Sequence, residues 1–289
     1  MTTPPTPQAP DHRQAPQQRP PVVPELGPYT SPIPARPAGF RDALASEWTK
    51  IRSVRSTLWT LGIMVVLVVG LGLLVAFTLR LADSPVDDVP ELSFGFSGLV
   101  LGSICVITLG VLTTTSEFGT GLIRTTLTAC PSRSRVLTAK ATVFFLLAFA
   151  VTTVTTTVVA VVQTSMLDGK AADADAWLRA TVGVGLYVAL LGLFSLAVGA
   201  IVRHSAGAIT AMIGVVLLPL VVGMFMFSES LDSVRTALFT YSIPSQLSVF
   251  YDTSVTNSGP TGWDPLWIMI GMTAAIMGVA YATLERRDV

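Results

Sequence analysis

The sequence predicts an all-α integral membrane protein with six transmembrane helices. Three observations support this: the apolar composition, the long uncharged segments, and the lack of the alternating pattern of an outer-membrane barrel. Of the 289 residues, 51% are hydrophobic and only 12% are charged, and the mean hydropathy is +0.65. A soluble domain has about 25% charged residues. A soluble protein of this composition would have too little surface charge to stay dispersed.

The first 39 residues differ in composition from the rest of the chain. They contain 12 of the 19 prolines and no apolar period, which predicts a disordered, Pro-rich cytoplasmic tail. No apolar segment follows the start within 30 residues, so a signal peptide is not expected. Residues 40–289 are expected to form one six-span transmembrane domain.

Residues 40–57 predict an amphipathic helix that runs directly into the first span. At about 100° per residue, Glu47 and Arg55 fall at the edges of an apolar face, whose members are Phe40, Leu44, Trp48, Ile51, Val54 and Leu58. A basic amphipathic helix with a tryptophan suits the cytoplasmic surface of a bilayer. Two interpretations stay open: a plain lead-in helix lying on the membrane, or one whose polar face also contacts a cytoplasmic partner.

Six segments are long and apolar enough to cross a bilayer, which requires about 20 residues. None contains Asp, Glu, Lys, Arg or His. The predicted spans are residues 58–79, 94–115, 141–166, 180–202, 206–227 and 266–284. In the second span, Gly98 and Gly102 are one helical turn apart, a spacing that favours close packing against another helix.

The segment between spans two and three, residues 116–140, predicts a helix–turn–helix that projects from the membrane. A short apolar stripe after Gly121 is interrupted at Pro131, and Ser132 or Ser134 can cap a new helix that continues into span three. The segment is either a receiver for movement of another protein or a plain connector. Composition alone does not decide between them.

Span three carries four polar residues within about 80° on a helical wheel: Thr142, Thr152, Thr156 and Gln163. Such a polar face can line a translocation path, for which Thr152, Thr156 and Gln163 are the candidates. Threonine hydroxyls also bond back to their own helix, so helix packing is the favoured alternative. Gln163 stands out because an amide has more hydrogen-bonding groups to satisfy.

The distribution of charge predicts the orientation. Of the 18 basic residues, 14 fall in the tail and the loops of one side. Basic residues mark the cytoplasmic loops of membrane proteins. We therefore expect the chain to span the plasma membrane with both termini in the cytoplasm. The opposite loops carry most of the acidic residues, so the net charge of zero is the sum of two opposite faces. It gives no indication of nucleic-acid binding.

The residue types absent from the spans disfavour several classes of transporter. Without intramembrane ionisable residues, a proton antiporter is disfavoured. No paired broken helices suggest a sodium-coupled carrier, and no phosphate-binding loop of the Walker type occurs. Cys105 and Cys130 have no metal-site spacing. No catalytic or metal-ligating residue is predicted, and any energy for transport would come from a separate protein.

Two stretches resemble one family. Residues 43–57, which read Ala-Leu-Ala-Ser-Glu-Trp-Thr-Lys-Ile-Arg-Ser-Val-Arg-Ser-Thr, resemble the N-terminal signature of bacterial ABC-2 type transporter permeases, especially actinobacterial ones. Residues 115–127, which read Thr-Ser-Glu-Phe-Gly-Thr-Gly-Leu-Ile-Arg-Thr-Thr-Leu, are similar to the family's segment after span two. Six spans with both termini inside also fit. Gly119 departs from the family, where a longer residue is common.

The resemblance implies the membrane subunit of an ABC transporter, usually an exporter and not itself an enzyme. A second permease copy or paralogue and separate ATP-binding subunits, which hold ATP and Mg, would complete it. Residues 116–129 would contain a coupling helix that docks on the ATPase, with Glu117, Phe118 and Arg124 as contacts. Residues 40–57 would be the interface helix, marked by Glu47, Trp48, Lys50 and Arg52. The alternatives are a non-transporting scaffold or sensor and, less favoured, an ion-coupled carrier. The substrate is not predicted.

Overall fold

Helices account for the regular structure of this chain. The structure is a computed structural model that describes residues 39–82, 89–167, 169–253 and 259–286; the predicted tail lies outside them except for Gly39. No strand occurs within these ranges. The α-helices are α1 (Phe40–Ser53), α2 (Arg55–Leu81), α3 (Phe96–Thr120), α4 (Leu122–Ala129), α5 (Arg133–Met166), α6 (Ala174–Leu178), α7 (Val184–Val202), α8 (Ser205–Met224), α9 (Asp232–Thr240), α10 (Ile243–Val249) and α11 (Asp264–Arg286).

All six predicted spans are confirmed as long apolar helices. Within the described ranges, six helical segments are long and apolar enough to cross a membrane: Arg55–Leu81, Glu91–Thr120, Arg133–Met166, Ala174–Val202, Ser205–Met224 and Asp264–Arg286. The third has 34 residues, or about 51 Å at 1.5 Å per residue. A hydrocarbon core is about 30 Å thick, so this helix extends beyond it.

Helix α7 is the centre of the bundle. It packs against α3, α5, α8 and α11, and its residues Tyr187, Leu191 and Leu196 are completely buried. At Gly110 of α3, an added Cβ would overlap the Ser195 side chain and the Gly192 carbonyl of α7. The two helices therefore touch at the level of their backbones.

The predicted small-residue pair is confirmed as a packing surface. A Cβ on Gly98 of α3 would lie 2.8 Å from the Val68 carbonyl oxygen of α2, and a Cβ on Gly102 would press on the Val68 side chain. Glycine at these positions lets α3 approach α2 closely.

The outer helices leave apolar side chains uncovered. Trp59 and Val66 of α2, Leu218 of α8 and Trp267 of α11 are more than half exposed in the single chain. Apolar side chains exposed in this way are expected where lipid replaces water. With the six long apolar helices, it defines a multi-pass membrane protein.

The loops lie at two ends of the bundle. At one end, the Arg133 guanidinium at the start of α5 donates to the Leu284 carbonyl near the end of α11, at 2.8 Å. Arg203, just after α7, stacks on the ring of Phe118 near the end of α3, 4.9 Å from its centroid. We call this the basic end, because it groups the segments in which the sequence concentrates Lys and Arg.

The opposite end joins the other set of loops. The backbone N–H of Glu91, before α3, donates to the carbonyl of Lys170, after α5. Arg179, between α6 and α7, makes two hydrogen bonds to the Asp252 carboxylate, of 2.7 and 3.1 Å. The alternation of loops predicted from the charges is thus present. Which end faces the cytoplasm stays a prediction.

Candidate functional site

Four charged side chains meet at the basic end and form a buried cluster. The Lys140 ammonium lies 2.7 Å from Glu47 Oε2 and 2.8 Å from Glu117 Oε1. The Lys50 ammonium lies 2.7 Å from Glu47 Oε1 and 2.9 Å from Glu117 Oε1. Lys50 also donates to Thr126 Oγ1 at 3.3 Å. We call Glu47, Lys50, Glu117 and Lys140 the charged cluster. It connects α1, α3 and α5, and the Lys50–Thr126 hydrogen bond joins it to α4.

Local sequence places each member of the charged cluster. Glu47 and Lys50 are three residues apart on α1 and therefore share a face. Glu117 lies in the last turns of α3, which ends because Gly121 adopts a left-handed conformation with φ of 72°. Lys140 lies two turns into α5, immediately before the apolar part of that span.

Burial makes the pairing of these charges obligatory. Glu47, Lys140 and Glu117 are only 2%, 3% and 5% exposed. Removing a charge from water costs several kcal/mol, which is offset only when partners of opposite sign are close. Because two carboxylates alternate with two ammonium groups, the cluster has no net charge. Loss of any member would leave an uncompensated charge inside the protein.

Lys50 is the most exposed member, with 25% of its side chain accessible. Partial burial lowers the pKa of Lys50, but the hydrogen bonds that its ammonium donates to Glu47 and Glu117 outweigh this and raise the pKa above its ordinary value. The ammonium therefore stays charged at any physiological pH. Its three protons are all used, by Glu47, Glu117 and Thr126.

The predicted partner contacts occupy three different environments. Glu117 is buried in the charged cluster, and Phe118 is half-buried under Arg203. Arg124, on α4, is exposed, whereas its neighbour Ile123 is buried. Arg124 is therefore the one of the three that a partner could reach directly in this conformation. Glu117 could act only by fixing the position of α4.

The predicted interface residues also separate into two groups. Glu47 and Ile51 are the buried residues of α1, whereas Trp48 is 49% exposed and Arg52 is also exposed. The face that packs on the protein is thus centred near Glu47, which the wheel places at the edge of the apolar face. The Trp48 side of α1 is left available to a bilayer.

The predicted continuous helix from residue 40 into span one is wrong at one position. Val54 has an extended conformation, with φ of −84° and ψ of 110°, and separates α1 from α2. A β-branched residue tolerates this backbone readily. The break frees α1 from the axis of α2, so α1 can contact α5.

The candidate path residues of span three are inside the single chain. Thr152, Thr156 and Gln163 are 0%, 4% and 0% exposed. Thr156 Oγ1 donates to the Thr152 carbonyl at 2.9 Å, and the Gln163 amide donates to the Gly72 carbonyl of α2 at 2.9 Å. These contacts favour the helix-packing alternative. Lining of a path stays a prediction.

Sequence reasoning missed Lys140 as a site residue. Two features of the sequence pointed to this pair: Glu47 lies on the edge of an apolar face, and Lys140 directly precedes a span. Nothing in the sequence joins them, because Glu47 and Lys140 come together only when α1 packs on α5.

The fold thus defines the class, a multi-pass membrane protein, and comparison with known proteins adds no narrower identity. Neither the protein-family models nor the curated proteins compared with the chain match it. Among the described residues, no group of three or more His, Cys, Asp or Glu side chains could hold a metal ion. The charged cluster and the exposed face of α4 are the features of the described residues that bear on function.

Proposed function

We propose that this chain is the membrane-spanning permease subunit of an ABC-2 type transporter, an exporter driven by a separate ATP-binding subunit. The observation that carries the proposal is the charged cluster, which links the short helix α4 to α1 and to two spans, α3 and α5. A helix in this position can pass movement from outside the membrane to the spans.

The physical argument concerns how force reaches the spans. Helix α4 has only eight residues, and an isolated helix of that length is marginal in water. Helix α4 follows α3 after the single residue Gly121, and Thr126 of α4 accepts a hydrogen bond from Lys50. A push on α4 therefore displaces α1, α3 and α5 together rather than bending a loop. Paired buried charges resist shear because partial separation leaves each charge unsolvated.

The proposal assigns the remaining roles. The basic end faces the cytoplasm, both termini are cytoplasmic, and the membrane is the plasma membrane. Arg124 contacts the ATP-binding subunit, which holds ATP and Mg, and a second permease copy or a paralogue completes the path. This chain hydrolyses no nucleotide. Lipid contacts the outer faces of α2, α8 and α11.

Affinity purification of the full-length chain from its native membranes tests the proposal. An ATP-binding subunit should co-purify with the wild type and be lost from Arg124→Glu. Arg286→Glu is the matched control, because Arg286 is an exposed arginine at the end of α11, at the same end of the bundle. Membrane insertion should be unchanged in both variants.

The outcome also distinguishes the alternatives. Recovery of a kinase or protease without any ATP-binding subunit would favour a scaffold or sensor. Transport by the purified chain alone under an ion gradient would favour a secondary carrier. Charge reversal at Glu117 would not distinguish these outcomes, because it would disrupt the charged cluster itself.

A further inference from the structure

Three arginines stand out on the surface of the basic end. Arg41 and Arg52 lie on α1, Arg55 is the first residue of α2, and all three are exposed. None of the three side chains makes an ion pair or a hydrogen bond with another described residue. Because a guanidinium group stays charged at any physiological pH, these arginines present permanent, accessible hydrogen-bond donors.

The acidic residues of the same segment do not neutralise this surface. Asp42 and Glu47 are the only acids between residues 39 and 82. Glu47 is buried in the charged cluster and bound to both of its lysines, and that cluster has no net charge. Asp42 accepts a hydrogen bond from the backbone N–H that precedes α1. The exposed charge is therefore three arginines against one aspartate, which leaves the surface positive.

Exposed tryptophans share the faces of these arginines. At about 100° per residue, Arg41, Trp48 and Arg52 lie within about 40° of one another on α1. Arg55 lies four residues before Trp59 and shares its face of α2. Trp48 is half exposed and Trp59 is 72% exposed. Tryptophan is enriched where the hydrocarbon of a bilayer meets the headgroups, so this pattern is typical of a membrane boundary.

The break at Val54 places two of the arginines beside each other along the chain. Arg52 and Arg55 are three residues apart, so their Cα atoms are separated by no more than about 11 Å. Long side chains of this kind extend toward the headgroups while their stems contact apolar surface. Guanidinium groups bind phosphate oxygens through paired hydrogen bonds. In a neutral phospholipid such as phosphatidylcholine, the choline charge beside the phosphate opposes this approach, whereas an anionic headgroup has no such cation.

We propose that Arg41, Arg52 and Arg55, with Trp48 and Trp59, form a binding surface for the headgroups of anionic phospholipids. The guanidinium groups donate to the phosphates, and the tryptophans lie where headgroups meet acyl chains. Positive charge selects an anionic over a neutral lipid, and the exposed tryptophans, continuous with the apolar exterior of α2, favour a bilayer over an acidic protein.

The bound lipid holds α1 at the membrane while a different face of the helix, centred near Glu47, packs on α5 through the charged cluster. The surface does not depend on the proposed transport function. It requires only that residues 40–59 lie at a membrane boundary.

Native mass spectrometry of the purified full-length chain in detergent tests the surface. The probes are phosphatidylglycerol, which is anionic, and phosphatidylcholine with the same acyl chains. We expect the wild type to prefer phosphatidylglycerol, and the preference to fall about fivefold for each arginine replaced by glutamine. The double variant Arg52→Gln/Arg55→Gln should therefore lose about 25-fold. Raising the salt concentration should reduce the wild-type preference, because exposed charges are screened.

Two further variants complete the test. Arg286→Gln is the matched control, because Arg286 is exposed at the same end beside the exposed Glu285, and it should keep the wild-type preference. Arg41→Gln lies at the far end of α1 from the break and should lower the preference about fivefold. It decides the question if the double variant fails to fold.

Several results would overturn the proposal. Equal binding of the two lipids by the wild type would show that the surface does not select charge. A wild-type preference in both Arg41→Gln and the double variant would place the selectivity elsewhere, as would an equal loss in Arg286→Gln. Loss of a co-purifying acidic protein from the double variant, with an unchanged lipid preference, would assign the arginines to that protein instead.

Discussion

Replacing Lys140 by methionine should be among the most destabilising changes at the basic end. Methionine keeps the unbranched apolar stem of lysine, one atom shorter, and removes the charge. Glu47 Oε2 then loses its ammonium partner at 2.7 Å, and Glu117 Oε1 loses one of its two. Breaking a buried ion pair by removing one partner costs about 3–5 kcal/mol. Because the Lys140 side chain is only 4% exposed, water cannot replace it.

Lys50 provides the internal comparison. Its side chain is 25% exposed, so water can partly solvate the carboxylates when it is removed, and Lys50→Met should cost about half as much as Lys140→Met. Lys170→Met is the control, because Lys170 is exposed at the opposite end. A surface substitution of this kind changes stability by about 0.5 kcal/mol or less.

The free energy of unfolding is measured by denaturant titration of the purified chain in detergent, followed by tryptophan fluorescence. A double-mutant cycle with Glu47→Gln isolates the pair, and we expect Glu47→Gln and Lys140→Met to be coupled rather than additive. If Lys140→Met is no more destabilising than Lys170→Met, the charged cluster does not hold α1 on α5.

Three further predictions concern packing and pH. Gly110→Ala should destabilise the protein by about 1–3 kcal/mol, measured in the same titration, whereas Gly214→Ala should not, since a Cβ there meets nothing within 4 Å. Gln163→Leu should cost about 1 kcal/mol through its lost hydrogen bond to Gly72 and leave transport intact; lost transport with unchanged stability would instead indicate path lining. Because the folded pKa of Lys50 is raised above its ordinary 10.5, its stabilisation is complete below that pH and is lost as pH rises through the folded pKa. Stability should therefore fall more steeply above pH 10.5 in the wild type than in Lys50→Met; parallel curves would refute this.

The spans could be predicted from the sequence because each depends on local composition. A long apolar segment without charge is helical in a bilayer whatever it contacts, so the sequence predicts all six spans. Their ends are less accurate: span five was predicted to end at residue 227, and the helix ends at Met224. Gly98 was also found, because a small residue one turn from another is a local pattern. Gly110 was not, since its role depends on meeting Ser195 of α7.

The charged cluster could be predicted only in part. Glu47, Lys50 and Glu117 were recognised as important residues, but as surface contacts for a partner or a membrane. Their burial follows from the packing of α1 on α5, which the break at Val54 permits. A helical wheel ranks faces by hydrophobicity and counted Trp48 as part of the apolar face. It has no means of recognising that a glutamate is buried against a distant lysine.

Hydrolysis of ATP by the reconstituted complex tests the central claim most directly. The co-purified ATP-binding subunit is assayed alone and with the wild-type chain, Arg124→Glu or Arg286→Glu in lipid vesicles. The account predicts that the wild type and Arg286→Glu change the hydrolysis rate equally, and that Arg124→Glu leaves it at the rate of the ATP-binding subunit alone. A wild-type rate with Arg124→Glu would contradict the assignment of α4 as the point at which the ATPase acts.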